Sequence, residues 1–277
     1  MTDHRDREPG STRAALFLDL AGRLTARHPR WVLLKGIDSA LHGSGDLDSA
    51  APGQDWPVIE ETFRGWASDH GLSPVIVCRH GAIGRILIAF EPGAREMLEL
   101  DLLRSRSWRG SRLFEATDLL AHATLRDPGY RVVRPGVEGV LKLLWHGVRR
   151  GGGGDPGRLA AKNVIPLLRE DPDGVTAGVD LLPHGRREVQ QLVDACLSGR
   201  WDRPAALRLE ARYVAESLRR PLDLARGLRF RLVTTRRCPV FVTMMRGGRR
   251  VPREFDDWLG LVARSHDVTG WPGFAAE

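Results

Sequence analysis

WVLLKGIDSALHGSGDLD, residues 31–48, joins a short apolar run to a glycine-rich bend and then to two aspartates separated by one leucine. In a strand, side chains i and i+2 share a face, so Asp46 and Asp48 point the same way while Leu47 turns to the core. Residues 97–103 (MLELDLL) read as a later strand with another carboxylate, Asp101, framed by Leu100 and Leu102. An acid in a leucine-rich strand is costly unless it is paired or faces a cleft. Three carboxylates gathered on one sheet repel one another unless a cation sits among them. Oxygen-only ligation of this kind suits Mg²⁺, with Mn²⁺ as a substitute. The competing readings are an Asx-turn at Asp46–Asp48 and an arginine salt bridge to Asp101.

The surrounding pattern predicts an α+β fold, a mixed sheet with flanking helices followed by a mostly helical C-terminal domain. Strands are expected at 31–34, 46–48, 74–79, 85–90 and 97–103. Apolar residues at helical spacing predict helices over 12–27 and 57–70, with one turn of helix within 37–45. From about Ser111 short turns and helical periodicity replace strands, with helices over 137–150, 158–169, 186–197 and 204–219. The boundary is expected near residues 125–136, at RDPGYRVVRPGV, dividing an α/β domain (12–130) from a mainly helical one (131–277). Residues 239–245 read as a further strand, with one weak helix after it. Asp171-Pro172-Asp173-Gly174 reads as a turn, because it lacks the later ligands of a calcium loop.

Composition narrows the function. The 277 residues are 42% hydrophobic and 28% charged, which excludes a disordered tail protein. Cys78, Cys196 and Cys238 form neither a CxxC pair nor a zinc-type spacing, so a reducing, cytoplasmic setting is the expectation. The N-terminus lacks the pattern of a secretory signal, and no run approaches the length of a membrane span. The net charge is +7, and only Lys35, Lys142 and Lys162 of the 42 basic residues are lysines. That excess reads first as a solvated basic surface. The arginine clusters at Arg236-Arg237 and Arg246 to Arg253 keep a nucleic-acid-binding module as an alternative.

Residues 31–48, together with LELDLL around Asp101 and the following Trp108-Arg109-Gly110, resemble the DNA polymerase β-type nucleotidyltransferase superfamily, in particular its bacterial nucleotidyltransferase-like branch. The resemblance covers about residues 12–150. It implies that Asp46 and Asp48 hold Mg²⁺ on a nucleoside triphosphate, and that Asp101 completes one metal site and helps deprotonate an acceptor hydroxyl. It also implies a helical domain after the sheet that closes over the nucleotide. Phosphate contacts would come from Lys35, Gly36, Ser39 and Ser44, and from Lys142 on the 137–150 helix. The implied reaction transfers a nucleoside monophosphate to an unidentified hydroxyl or phosphate acceptor: a small molecule, a sugar phosphate or a protein.

The chain departs from that pattern in two places. Gly36 is followed by Ile37 where the superfamily has a glycine-serine or glycine-glycine pair, and Ser49-Ala50-Ala51-Pro52 shortens the second strand. Both departures support an alternative, a catalytically degenerate nucleotide sensor or scaffold on the same fold. GxxxxGK[ST] is absent, so no second nucleotide site is implied. Lesser candidates are Arg79 and Arg85 for phosphate, His42, His80 and His146 for proton transfer, and one or two of the eight tryptophans for stacking a base.

Overall fold

The computed structural model describes residues 12–35, 38–41, 46–80, 84–91, 97–108, 111–148, 159 and 163–219. The expected strand at 239–245, the helix after it and both C-terminal arginine clusters lie outside these residues. The fold is mixed α+β, with helices flanking a seven-stranded mixed sheet.

The sheet consists of β1 (Val32–Leu33), β2 (Leu47–Ala50), β3 (Val75–His80), β4 (Gly84–Phe90), β5 (Met97–Leu103), β8 (Ala123–Arg126) and β9 (Tyr130–Val133). Its order is β3-β4-β5-β2-β1-β9-β8, and β6 (Ser105–Trp108) with β7 (Ser111–Glu115) forms a separate hairpin. Strand β2 runs parallel to β5 and β1 parallel to β9, while the remaining neighbours are antiparallel.

Alternation splits the core into two layers. On one face, α1 (Thr12–Arg27) and α3 (Trp56–Asp69) press Phe17, Leu20, Leu24, Ile59, Phe63 and Trp66 onto Leu33, Leu47, Leu87, Leu100 and Leu102. Fully burying an aliphatic or aromatic side chain of this size stabilises by roughly 1.5–3 kcal/mol. The opposite face presents Val32, Ala50 and Val133 to α5 (Pro135–Leu143), which supplies Val137, Val140 and Leu143. Behind α5 lie α6 (Val164–Glu170), α7 (Pro172–Asp180), α8 (Arg186–Leu197) and α9 (Arg203–Arg219). Two shorter helices are α2 (Asp38–Leu41) and α4 (Ala116–Leu120). Among the described residues no helix is long and apolar enough to cross a membrane.

Several expectations change on folding. Strands continue past Ser111, because SRLFE, ATLR and YRVV, each too short to show a clear alternation, find partners on folding. Residues 125–136, read as a boundary, contain β9, which enters the main sheet through Leu33 opposite Val132. Within the span 158–169 expected as one helix, Leu159 is helical and α6 runs Val164–Glu170, with Asn163 before it in the left-handed region at φ of 56°. The turn expected at 171–174 starts a helix: Asp171 accepts a hydrogen bond from Gly174 N at 2.9 Å, with Pro172 in the first turn. The single helix over 137–150 is instead α5 followed by a π turn, Leu144–Val148.

Contact between α5 and α7 depends on Gly136. A Cβ there would stand 2.1 Å from the Asp171 carbonyl oxygen and 2.3 Å from Val175 N, so only glycine lets the two backbones meet.

Candidate metal centre and adjoining cleft

Register brings the acids together. Asp48 on β2 is the direct partner of Asp101 on β5, and both stand on the face that carries Val32 and Ala50. Asp46 lies just before β2, and one carboxylate oxygen from each of Asp46, Asp48 and Asp101 lies within 4.8 Å of the others. Three carboxylates at that spacing could hold a metal ion. Backbone bonds fix the strand ends: Leu34 N donates to Asp48 O at 2.8 Å, and Ala51 N to Leu103 O at 3.0 Å. The Ser49 hydroxyl donates to the Asp101 carbonyl at 2.7 Å.

The carboxylates pay electrostatically for this proximity. Burial, followed by the charges of Asp48 and Asp46, pushes the Asp101 carboxyl up to about 7. Burial also raises Asp48, offset in part by the Lys35 ammonium. Asp101 Oδ1 is buried with no hydrogen-bond partner. A buried acceptor without a donor is expensive, and a cation seated between the carboxylates would satisfy it.

Glu99, two residues before Asp101 and therefore on its face, adds a fourth carboxyl. Burial and then the charge of Asp101 raise it to about 9. Alternation in MLELDLL could have flagged it. Lys35 bonds directly to Asp48 Oδ2. Burial alone would lower its ammonium, but Asp48, Asp46 and Asp101 together hold it above its ordinary value.

A cleft of about 270 Å³ opens from Asp48 and Asp101 toward α5 and the β6–β7 hairpin. Leu103, Leu113, Phe114 and Leu144 form much of its apolar wall, and Lys142 and His146 line it as neighbours on one helical face. Lys142 Nζ is 2.6 Å from Glu138 Oε1, one turn earlier on α5. The Arg106 guanidinium lies 3.5 Å from the centre of the Trp145 ring, tying β6 to the π turn. Neither Arg106 nor Glu138 stood out in the sequence. SRSW lacks the alternation of a buried strand, whereas the Glu138–Lys142 spacing of four was a readable signal.

Other candidates fall elsewhere. Arg85 is the register partner of Leu102, so it stands on the face opposite Asp101; it pairs with Glu60 and lies over Trp56. Trp108 and Trp145 line the cleft, while Trp31, Trp56 and Trp66 are buried in the helix-covered layer. Ser39 belongs to α2, its side chain outside the description, as are those of Arg79 and His80. Gly36, His42 and Ser44 also lie outside the described residues.

No protein-family model, curated protein or solved structure matches the chain.

Proposed function

We propose that this protein is a Mg²⁺-dependent nucleotidyltransferase that transfers a nucleoside monophosphate from a nucleoside triphosphate to a hydroxyl or phosphate acceptor. The observation that carries this reading is the register pairing of Asp48 with Asp101, with Asp46 alongside and Asp101 Oδ1 left without a donor. The sequence resemblance of residues 31–48 and 97–103 to the DNA polymerase β-type superfamily supports the same reaction class.

Asp46, Asp48 and Asp101 would hold the metal. Bound there, it would neutralise the triphosphate and activate the attacking oxygen. The chain's own residues do the rest. Asp101, which lines the apolar cleft, takes the proton of an acceptor hydroxyl as that oxygen attacks the α-phosphorus in line and pyrophosphate leaves. Lys142 and Arg106, both on the cleft wall, offset phosphate charge. The apolar walls exclude water, the competing acceptor.

Calorimetric titration of ATP, GTP, CTP and UTP, with and without Mg²⁺, tests the proposal on wild type and Asp46→Asn. Binding that requires Mg²⁺ and disappears in the variant supports it; equal binding by both proteins sinks it.

One observation favours a second reading, the catalytically degenerate nucleotide sensor. The Lys35 ammonium pairs with Asp48 Oδ2, so a cationic group of the chain's own already sits on the triad. On that reading nucleotide binds without Mg²⁺ and is never turned over.

A further inference from the structure

A second cavity, of about 440 Å³, lies where the two acid-bearing strands run out. Strands β2 and β5 end together at the register pair Ala50 and Leu103. The chain beyond β2 contributes Gln54 to this cavity, and the chain beyond β5 contributes Arg104. Arg30 and Arg85 join them, so three arginines line one space.

Two of these groups have carboxylate partners. Arg85 is clamped between the carboxylate of Glu60 and the Trp56 ring, 5.1 Å from its centre, yet its Nε is buried without an acceptor. Arg30 pairs with Asp55 in the turn after β2. Arg104 has no carboxylate partner among the described residues. Glu115 also lines the cavity, but Arg112 already engages it at 2.7 Å and its backbone N–H is bonded to Asp118. Donors therefore outnumber acceptors, and one positive charge is unmatched. A ligand rich in acceptors, without donors and negatively charged, corrects both imbalances, and guanidinium forks match tetrahedral oxyanions geometrically.

We propose that this cavity is a phosphoryl-binding site, separate from the acidic cleft, in which Arg104 and Arg85 grip a phosphate group. The site is independent of the metal and of the reaction proposed above. Arg85 is fixed in advance by α3 and β4, and Arg104, exposed in the bend before β6, supplies the unmatched charge.

The test uses the full chain in EDTA at constant ionic strength, titrated calorimetrically with inorganic phosphate and with a nucleoside monophosphate. Saturable binding is expected to weaken at least about tenfold in Arg104→Ala, since each charge-assisted contact contributes on that scale. Arg187→Ala, an exposed arginine on α8, is expected to bind as wild type. Inorganic phosphate matching the monophosphate in affinity identifies free phosphate as the ligand; a tighter monophosphate identifies a nucleotide-borne group. Three results overturn the proposal: no saturable binding, an Arg104→Ala protein that binds as wild type, or equal loss in Arg187→Ala, which marks a diffuse basic surface. Asp101→Asn separates the two sites. Phosphate lodged in the acidic cleft would bind tighter in that variant, whereas the proposed site leaves its affinity unchanged.

Discussion

Asp48 and Asp101 are direct register partners on parallel neighbouring strands, 53 positions apart in the chain, with their carboxyl groups on one face of the sheet. Sheet hydrogen bonding thus holds together two groups whose charges drive them apart. The fold sustains that repulsion with the buried leucines around it and the Lys35 ammonium on Asp48, and a metal cation there would offset it further.

Asp101→Asn is expected to stabilise the metal-free protein by about 1 kcal/mol, because it removes a buried charge facing two others. Metal affinity should collapse in the same variant. Thermal unfolding in EDTA and in Mg²⁺ checks both: wild type gains from the metal, and the variant starts higher and gains nothing.

Proton linkage follows from the Asp101 carboxyl, held near 7 by burial and its acidic neighbours. Its value is raised on folding from about 3.9, so the native state binds the extra proton. The stability this group contributes is therefore complete below about pH 4 and is lost as the pH rises through about 7. Metal must displace that proton, so Mg²⁺ affinity should climb with pH until it passes about 7 and then level off. Titration at pH 6 in buffers of different ionisation enthalpy should register proton release.

Lys35→Met is expected to tighten Mg²⁺ binding by about tenfold, since the ammonium competes for Asp48 Oδ2. Nucleoside triphosphate affinity in Mg²⁺ should fall if the displaced lysine moves onto phosphate. Direct titration of each ligand separates the two effects, and unchanged metal affinity would show that Lys35 yields Asp48 at no cost.

Asp171 ties the start of α5 to the start of α7. It accepts from Arg134 Nε at 3.0 Å, Gly136 N at 3.2 Å and Gly174 N at 2.9 Å. Asp171→Ala should cost about 2–3 kcal/mol in chemical denaturation, and Asp171→Asn clearly less, since the amide retains the cap. The Arg134 hydrogen bond, more than any other contact, holds this carboxyl below its ordinary value. Its stabilisation is thus present above about pH 4 and fades as the pH falls through the depressed value.

Parts of this architecture were legible because they rest on local periodicity. Leu16, Leu20 and Leu24 announce α1, Ile59, Phe63 and Trp66 announce α3, and VIVC, RILIAF and MLELDLL announce strands. The acidic triad was legible for the same reason, since i and i+2 in a strand share a face. Strands β6 to β9 escaped because they are short and interrupted by polar residues, and because the pairing of β9 with β1 spans about a hundred residues of chain. Arg106 escaped with β6. The face of Arg85 was hidden as well, because alternation says that residues differ in side but not which side holds the helices.

By itself the sequence determined the α+β character, the acidic residues and the helical run after the sheet, all consequences of spacings within about ten residues. Tertiary structure decided the order of the strands, the parallel pairing that sets Asp48 against Asp101, the seat of Lys35 on Asp48, and the second, arginine-lined cavity. The physical reason is one of range. Side-chain periodicity is imposed by the local backbone, whereas register and strand order follow from which apolar faces can be buried together, a choice made by the whole chain at once.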